Sequence, residues 1–488
     1  MLEMDKSSRR RLLFMGISIS FTSIFQMGYA NAYPNTAVDS FRRYLNVSFA
    51  SQGYDMNNSR FEWIWSAILN IYFLGFALGS FAAAPISDKV GRKWCLVLGN
   101  TFNFFSAILA TSAILFLNPF LFFISRVIFS LSAAISMNSL ILLLQESCPS
   151  DMRGIMSFNA EMAFVVMNMV GALVGMKAVL GDKLEWITGL SCIPSLISIL
   201  VALSFHESPK YLITKNKEEA VKSVCFYFNT DKQKAEEYVR VLENENGQQS
   251  TGVSMVPTTY FGLFLGILTL QITASIWPIL FFSTEFLIRA GIDPELAEAV
   301  STFMLFISTL STVMGMFLVE NCLRKNLLLI TSIVNLSALV LFFLSDQFHH
   351  VPYMKYGCVL AVVMHGASYS CGLGPIAWFI TAELVPTRNR AFCQSIALSI
   401  NQIIALALSV VTLPLYTTIG SWILVLLFVV PGAICVTILY FYLPETRERD
   451  IEEVTKNMMS QAKFLKRQGG EQDIPMNSIA EGSEFPST

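Results

Sequence analysis

Charge is scarce in this chain. Only 14% of its 488 residues are Asp, Glu, Lys or Arg, where a soluble domain carries about 25%. The few charges are also balanced, 33 basic against 35 acidic for a net of −2, so the basic footprint of a nucleic-acid binder is missing and no nucleic-acid partner is expected. The nine cysteines are scattered and none falls in C-x-x-C spacing. This excludes a disulfide framework and a thiolate metal site. There is no glycine-rich phosphate loop and no nucleophile beside a base, so no enzyme chemistry and no cofactor are expected. The first apolar stretch is too long for a cleavable signal peptide and reads as a membrane span.

What the chain has instead is apolar length. Hydrophobic residues make up 54% of it, and mean hydropathy is +0.55. Uncharged stretches such as Leu12 to Asn31, Trp63 to Ser87, Trp94 to Ser125 and Asn326 to Ser345 reach the roughly 20 residues that cross a bilayer. From Ala391 to Leu443 there is no charged residue at all, enough for two crossings. Runs of this length must be helices, because lipid leaves backbone groups no other partner. Twelve spans are predicted, at 11–31, 63–85, 94–116, 120–145, 155–177, 186–205, 257–284, 297–319, 326–345, 356–382, 391–416 and 421–443. With the N-terminus inside, twelve Lys and Arg flank spans on the inner side (Lys6, Arg9, Arg10, Arg11, Lys89, Arg92, Lys93, Arg153, Arg324, Lys325, Arg388, Arg390) and seven on the outer (Arg42, Arg43, Arg60, Lys177, Lys183, Arg289, Lys355). That bias places both termini in the cytosol.

The charged segments between spans occur twice. Asp88-Lys89-Val90-Gly91-Arg92-Lys93 returns as Glu320-Asn321-Cys322-Leu323-Arg324-Lys325, 232 positions on (320 − 88). An E-x-x-P-x-x-x-R pattern runs from Glu146 to Arg153 and again from Glu383 to Arg390, and Glu207-Ser208-Pro209 is echoed by Glu445-Thr446-Arg447. Near-constant offsets mean one unit used twice, the plan of carriers whose halves rock about a site between them. The clusters suit a cytosolic gate built from Asp88, Arg92, Lys93, Glu146, Arg153, Glu207, Glu320, Arg324, Lys325, Glu383, Arg390 and Glu445. Their other reading is that they only fix topology. Organisation along the chain is then a cytosolic N-terminus (1–10), a first six-helix bundle (11–205), a cytosolic helical linker (206–256), a second bundle (257–443) and a tail (444–488) whose Gly, Ser, Gln and Pro content reads as largely disordered. An outer loop at 32–62 carries two sequons, at Asn46 and Asn57.

Taken in order, Asp88-x-x-Gly91-Arg92-Lys93, Glu146-x-x-Pro149-x-x-x-Arg153-Gly154, Glu207-Ser208-Pro209, Gly374-Pro375-Ile376-Ala377-Trp378 and Pro444-Glu445-Thr446 resemble the sugar porter family of the major facilitator superfamily, and within it the facilitative glucose transporters. The resemblance implies an all-α membrane protein with twelve transmembrane helices in two pseudo-symmetric six-helix bundles, alternating access, and a small-molecule sugar or polyol held between the bundles. It carries Gln271, Trp378 and Asn401 over as sugar contacts, with Tyr369 at an aromatic position and Asn31 on span 1. The match fails elsewhere: Trp277 stands where the family has asparagine, Ser308 replaces another, Ile272 a second glutamine, Ser370 an acid and Gln402 an aromatic.

Glu161 is the largest departure, standing where the family has glutamine. It is the only acidic residue of its span, about 10 Å into the membrane at 1.5 Å per residue. Such residues usually face a cavity and have a function. Ionised, it only accepts hydrogen bonds; protonated, it resembles glutamine. It either couples transport to pH or to a cationic group, or is a carboxylate satisfied by a polar neighbour. Ala30 stands where proton-coupled sugar porters carry an aspartate, which favours facilitated diffusion. Arg126, with no acidic partner in the sequence, pairs with backbone carbonyls or touches substrate. The leading expectation is a facilitative carrier of a hexose or related polyol in the plasma membrane. A proton-coupled carrier using Glu161 and a non-transporting nutrient sensor are the alternatives.

Overall fold

The computed structural model describes residues 5–446 apart from 55, 150–151, 248–256, 349–350, 352 and 386–389. Among the described residues there is no strand, and twelve helices are long and apolar enough to cross a membrane. In chain order these spans 1 to 12 are Lys6–Thr36, Ser59–Val90, Arg92–Leu115, Pro119–Glu146, Phe158–Gly175, Leu184–Ser204, Thr259–Arg289, Pro294–Val319, Arg324–Gln347, Lys355–Thr381, Ile396–Ile419 and Trp422–Tyr442. Spans 1 to 6 form one half and spans 7 to 12 the other. Below, the face bearing the residue 206–256 segment is the linker face, and the other is the opposite face.

Helix starts are written locally. Asp5 accepts from the Lys6 amide at 2.7 Å, Asn57 from Arg60 at 2.8 Å, Asn118 from Phe120 and Leu121 at 3.1 Å, and Asp293 from Glu295 at 3.2 Å. Each satisfies a backbone donor that has no partner within its helix, and in the last two a proline follows at the first helical position. Within the first half, spans 1 and 5 approach almost backbone to backbone. A β-carbon on Gly28 would lie 2.6 Å from Met167 Cβ, and one on Gly171 2.5 Å from the Tyr29 carbonyl, the use small residues have at helix contacts in lipid. Polar ladders join other spans: Ser132 donates to Asn103 at 2.6 Å, Ser136 to Asn100 at 3.1 Å and Asn100 to Ser23 at 3.1 Å. In the second half Asn335 donates to Ser368 at 3.1 Å, and His365 is joined to Ser275 at 3.0 Å, a structural use of this histidine.

The segment 32–62 is mostly not a loop. Span 1 continues through Pro34 to Thr36, and a separate helix covers Val38–Ala50. Hydropathy cannot see such a helix because it lies on the bundle rather than in lipid. Asn46 is exposed on it, Ser48 of the same sequon is buried, and Asn57 serves as the cap of span 2. The linker holds three helices, Pro209–Ile213, Lys217–Phe228 and Lys232–Gly247, fastened to the first half. Tyr227 donates to the His206 carbonyl at 2.6 Å, Tyr211 to that of Lys89 at 3.0 Å and Arg11 to Asn229 at 2.7 Å. The expected disordered tail lies outside the described residues beyond Thr446.

The duplicated charges build the same joint in each half. Glu207 accepts from the backbone amides of Arg92 (2.8 Å) and Lys93 (3.0 Å), the first residues of span 3. Glu445 accepts from those of Arg324 (3.0 Å) and Lys325 (3.1 Å), the first residues of span 9. A carboxylate on the positive end of a helix contributes roughly 0.3–1 kcal/mol when exposed and up to about 2 kcal/mol when partly buried. Arg92 then pairs with Glu146 at 3.0 Å and with Asp88 at 3.2 Å, while Arg324 pairs with Glu383. Ser208 closes the first joint by donating to Glu146.

Among the described residues, every ion pair in these clusters stays inside its own half, because the carboxylates are already engaged by amides and guanidinium groups of that half. The side chains of Arg153, Glu320 and Arg390 lie outside the described set. The geometry also explains why the second copy has Leu323 for Gly91. Gly91 has φ +104°, and a β-carbon there would stand 2.2 Å from Glu207 Oε2, whereas Leu323 has an ordinary φ of −64°. Gly91→Ala should therefore cost about 1–3 kcal/mol. Leu323→Gly should cost no more than about 1 kcal/mol. Thermal unfolding of the purified protein reads both, and equal losses would refute the asymmetry.

Candidate functional site

Spans 7 and 10, which face the first half across the central seam, are both interrupted. Span 7 passes through a 3₁₀ turn at Thr273–Ser275, and span 10 through a π-helical turn at Tyr369–Leu373, ahead of Gly374-Pro375. Such turns turn side chains out of register and are frequent at functional positions. Three of the expected sugar contacts converge here. Asn401 of span 11 is 1% exposed and donates to the Leu270 carbonyl at 2.9 Å, so its amide holds the span 7 break. Gln271 follows directly, half-buried, with its Nε2 lacking a hydrogen-bond partner. Trp378 packs on the cluster of Leu270, Ala397 and Leu398.

The first half contributes Glu161. It is buried at 9% exposure, and its Oε1 has no hydrogen-bond partner. The Tyr369 hydroxyl, which comes from the second half, lies within electrostatic reach of that carboxylate and beside the Trp378 side chain. Glu161 of the first half and Tyr369 of the second thus lie within electrostatic reach of one another. A carboxylate acceptor, an amide donor on Gln271 and two aromatic rings offer what a hydroxylated ring with an apolar face requires.

Two expected contacts are placed otherwise. Trp277 is 4% exposed and packed among rings, with Phe73 at 5.1 Å, Tyr72 at 5.8 Å, Phe281 at 6.1 Å and Phe164 at 6.3 Å between centroids. Three of these rings belong to the first half, so Trp277 seals the seam where the family has a hydrogen-bonding asparagine. Ser308 is 3% exposed and lies against Gly366, where a β-carbon would stand 2.7 Å from its Oγ. It fills the contact of spans 8 and 10. Asn31 is fully buried beside the Tyr72 hydroxyl. Arg126 donates to the Ala30 carbonyl at 2.8 Å, the first of its two expected partners.

Sequence reasoning missed the joint that closes the seam, which lies on the opposite face. Arg289 meets Glu62 across the halves at 2.9 Å, and Glu285 approaches Arg42 at 3.8 Å. The Lys177 amide donates to Glu298 at 3.2 Å, and its ammonium reaches Asp39 at 2.7 Å. The hydrogen bond that the Lys177 ammonium donates to Asp39, opposed by partial burial and aided by the charges of Asp39, Glu298 and Asp182, raises the Lys177 pKa above its ordinary value. Beneath these pairs Asn35 donates to Ser283 at 2.9 Å and accepts from the Thr284 amide at 3.3 Å. These residues belong to no repeated motif; their only trace in the sequence is a set of opposite charges flanking spans on one side.

The match to known proteins follows this geometry. A family model described as "Sugar (and other) transporter" covers residues 15–458. The chain belongs to the sugar transporter family. Its relatives include the bovine solute carrier family 2, facilitated glucose transporter member 5, 24% identical over 456 residues and 90% of each chain, and mouse member 7, 24% identical over 477 residues, 94% of this chain and 91% of that one. Among solved structures, the inward open xylose transporter XylE from E. coli superposes with a TM-score of 0.73 at 17% identity, over 91% of this chain and 99% of that one. Its partially occluded inward open form gives 0.72 at 16% identity, over 89% and 100%. The fold is therefore that of a major facilitator carrier, and the family is one of transporters, not enzymes.

The opposite-face pairs are half-exposed, so each should contribute about 0.2–1 kcal/mol. A double-mutant cycle on Glu62→Gln and Arg289→Gln, read by thermal unfolding, should give a coupling in that range that fades in high salt. Zero coupling at low salt would remove the pair from the closure.

Proposed function

We propose that this transporter carries a hexose or related polyol down its gradient across the plasma membrane by alternating access, with both termini and the linker face in the cytosol. The observation that supports this most is a buried, partly unpartnered carboxylate, Glu161, within electrostatic reach of Tyr369 from the other half. Polar groups from both halves are offered to one bound molecule, so its release can follow the separation of the halves. Among the described residues, the ion pairs that join the halves lie on the opposite face, which fits a carrier shut toward the outside. Orientation with the linker inside follows the Lys and Arg bias, and in it Asn46 and Asn57 lie on the glycosylated side of the membrane. The bovine and mouse relatives are named for glucose, and XylE for xylose. With Trp277 and Ser308 placed away from hydrogen-bonding roles, the polyol this chain selects is set by fewer polar contacts.

A second reading, proton-coupled transport, is favoured by one observation: Glu161 is buried with Oε1 unpartnered. Protonated, it would donate where the ionised form can only accept, so the contact offered to a sugar hydroxyl changes with protonation.

Uptake of labelled D-glucose, D-fructose, D-xylose and myo-inositol into proteoliposomes, with and without a pH gradient, tests these readings. Saturable uptake of at least one, indifferent to the gradient, is expected. Gradient-driven accumulation would replace facilitated diffusion with coupling, and no uptake of any would leave the sensor alternative. Across pH 5 to 8, flux through Glu161→Gln should be flat and should match the wild type at the acidic end. A wild-type profile retained in Glu161→Gln removes Glu161 from the mechanism.

A further inference from the structure

The first half contains a buried cation that the sugar contacts do not use. Arg126 of span 4 is 3% exposed. Its Nη1 donates to the Ala30 carbonyl at 2.8 Å, and its guanidinium carbon lies 5.0 Å from the Phe129 ring centre. Its Nε and Nη2 are buried without any acceptor. Those two N–H groups share one edge of the guanidinium and point the same way, the edge that grips both oxygens of a carboxylate.

The surroundings suit an anion. The groups acting electrostatically on the guanidinium are the hydroxyls of Tyr33 and Tyr72, and no carboxylate is among them. Asn31 is 0% exposed, both of its amide atoms lack a well-formed hydrogen bond, and it lies beside the Tyr72 hydroxyl. The span 1 residue that reaches Arg126 is Ala30, whose side chain has no charge to offer. A cation held in such a place without a counter-charge is costly, and the unpartnered amide of Asn31 adds to the buried groups that lack a partner there. The position adjoins the seam, because Tyr72 also packs against Trp277 with 5.8 Å between ring centres.

We propose that Arg126, with Asn31 and Tyr72, forms a subsite for a carboxylate, so that the carrier accepts a sugar acid whose carboxylate sits on the Nε and Nη2 edge of Arg126. This deepens the carrier reading and rests on it for transport, while binding at the subsite is measured separately. A planar carboxylate uses both donors at once, whereas a spherical anion cannot match the fork.

The test is thermal unfolding of the purified full-length protein in chloride-free buffer, titrated with D-glucuronate, with its neutral analogue D-glucuronamide, or with sodium chloride at matched ionic strength. D-glucuronate should raise the unfolding midpoint saturably, and D-glucuronamide should act about tenfold or more weakly, since a site built for a charged acceptor rejects a neutral one. Arg126→Lys, which keeps the charge and loses the fork, should weaken D-glucuronate, and Arg126→Gln should abolish its effect. Equal protection by D-glucuronamide or by chloride, no protection by D-glucuronate, or an undiminished response in Arg126→Lys would overturn the proposal. The first three outcomes need only the wild-type protein and hold even if the variants fail to fold. D-glucose uptake measured in parallel separates the two readings. Uptake without D-glucuronate binding sinks the subsite alone, and D-glucuronate binding without uptake of any sugar sinks the carrier.

Discussion

A helix end at the edge of lipid exposes backbone amides that must find partners within the protein. This chain meets the demand at the starts of spans 3 and 9 with a carboxylate brought from about 120 residues away, Glu207 on Arg92 and Lys93 and Glu445 on Arg324 and Lys325. The guanidinium groups left at those ends turn to Glu146 and Glu383 of the same half. Each half therefore closes on itself at the linker face. Two internally tied bodies result, and what joins them is weaker than what holds each together.

The strength of the seam is distributed to suit a switch. On the opposite face it consists of half-exposed ion pairs and the Asn35 contacts, each of modest worth. Deeper it is a ring cluster around Trp277, whose contacts are non-directional and can be remade after a small rotation. The polar groups a substrate would satisfy, Glu161 and Gln271, each carry a buried atom without a partner. Orphaned polar atoms there are tolerated where function requires them. Asn401 has a supporting part: by holding the Leu270 carbonyl it sets where span 7 breaks and so where Gln271 points.

The twelve spans were legible because lipid imposes one rule on every crossing, and the pattern of uncharged runs reports it directly. The helix at Val38–Ala50 was not, since polar residues lying along a bundle follow no such rule. The duplicated clusters were legible as repeats, and each copy builds the same joint in its own half. Charge at a span end shows that a partner exists without saying whether it lies in the same half. The cleft was partly legible, with Gln271, Tyr369, Trp378 and Glu161 placed near one another from resemblance and from the rarity of an intramembrane acid. The packing of Trp277 among rings of both halves and of Ser308 against Gly366 was not legible, because such contacts depend on how distant spans meet. The contact of Arg126 with Ala30 spans 96 positions and uses a backbone carbonyl, which no side-chain pattern reveals.

The two halves pivot about the seam: ionic contacts join them at the opposite face, and at the linker face the described ion pairs stay within each half. Spin-label distances test this pivot most directly, using one pair at Asn46 and Glu295 on the opposite face and one at Lys89 and Leu323 on the linker face, all exposed positions. Replacing Arg289 and Arg42 together by alanine should lengthen the first distance distribution and shorten the second. Lengthening of the first pair with no change in the second would mean local fraying in place of a pivot, and would contradict the account.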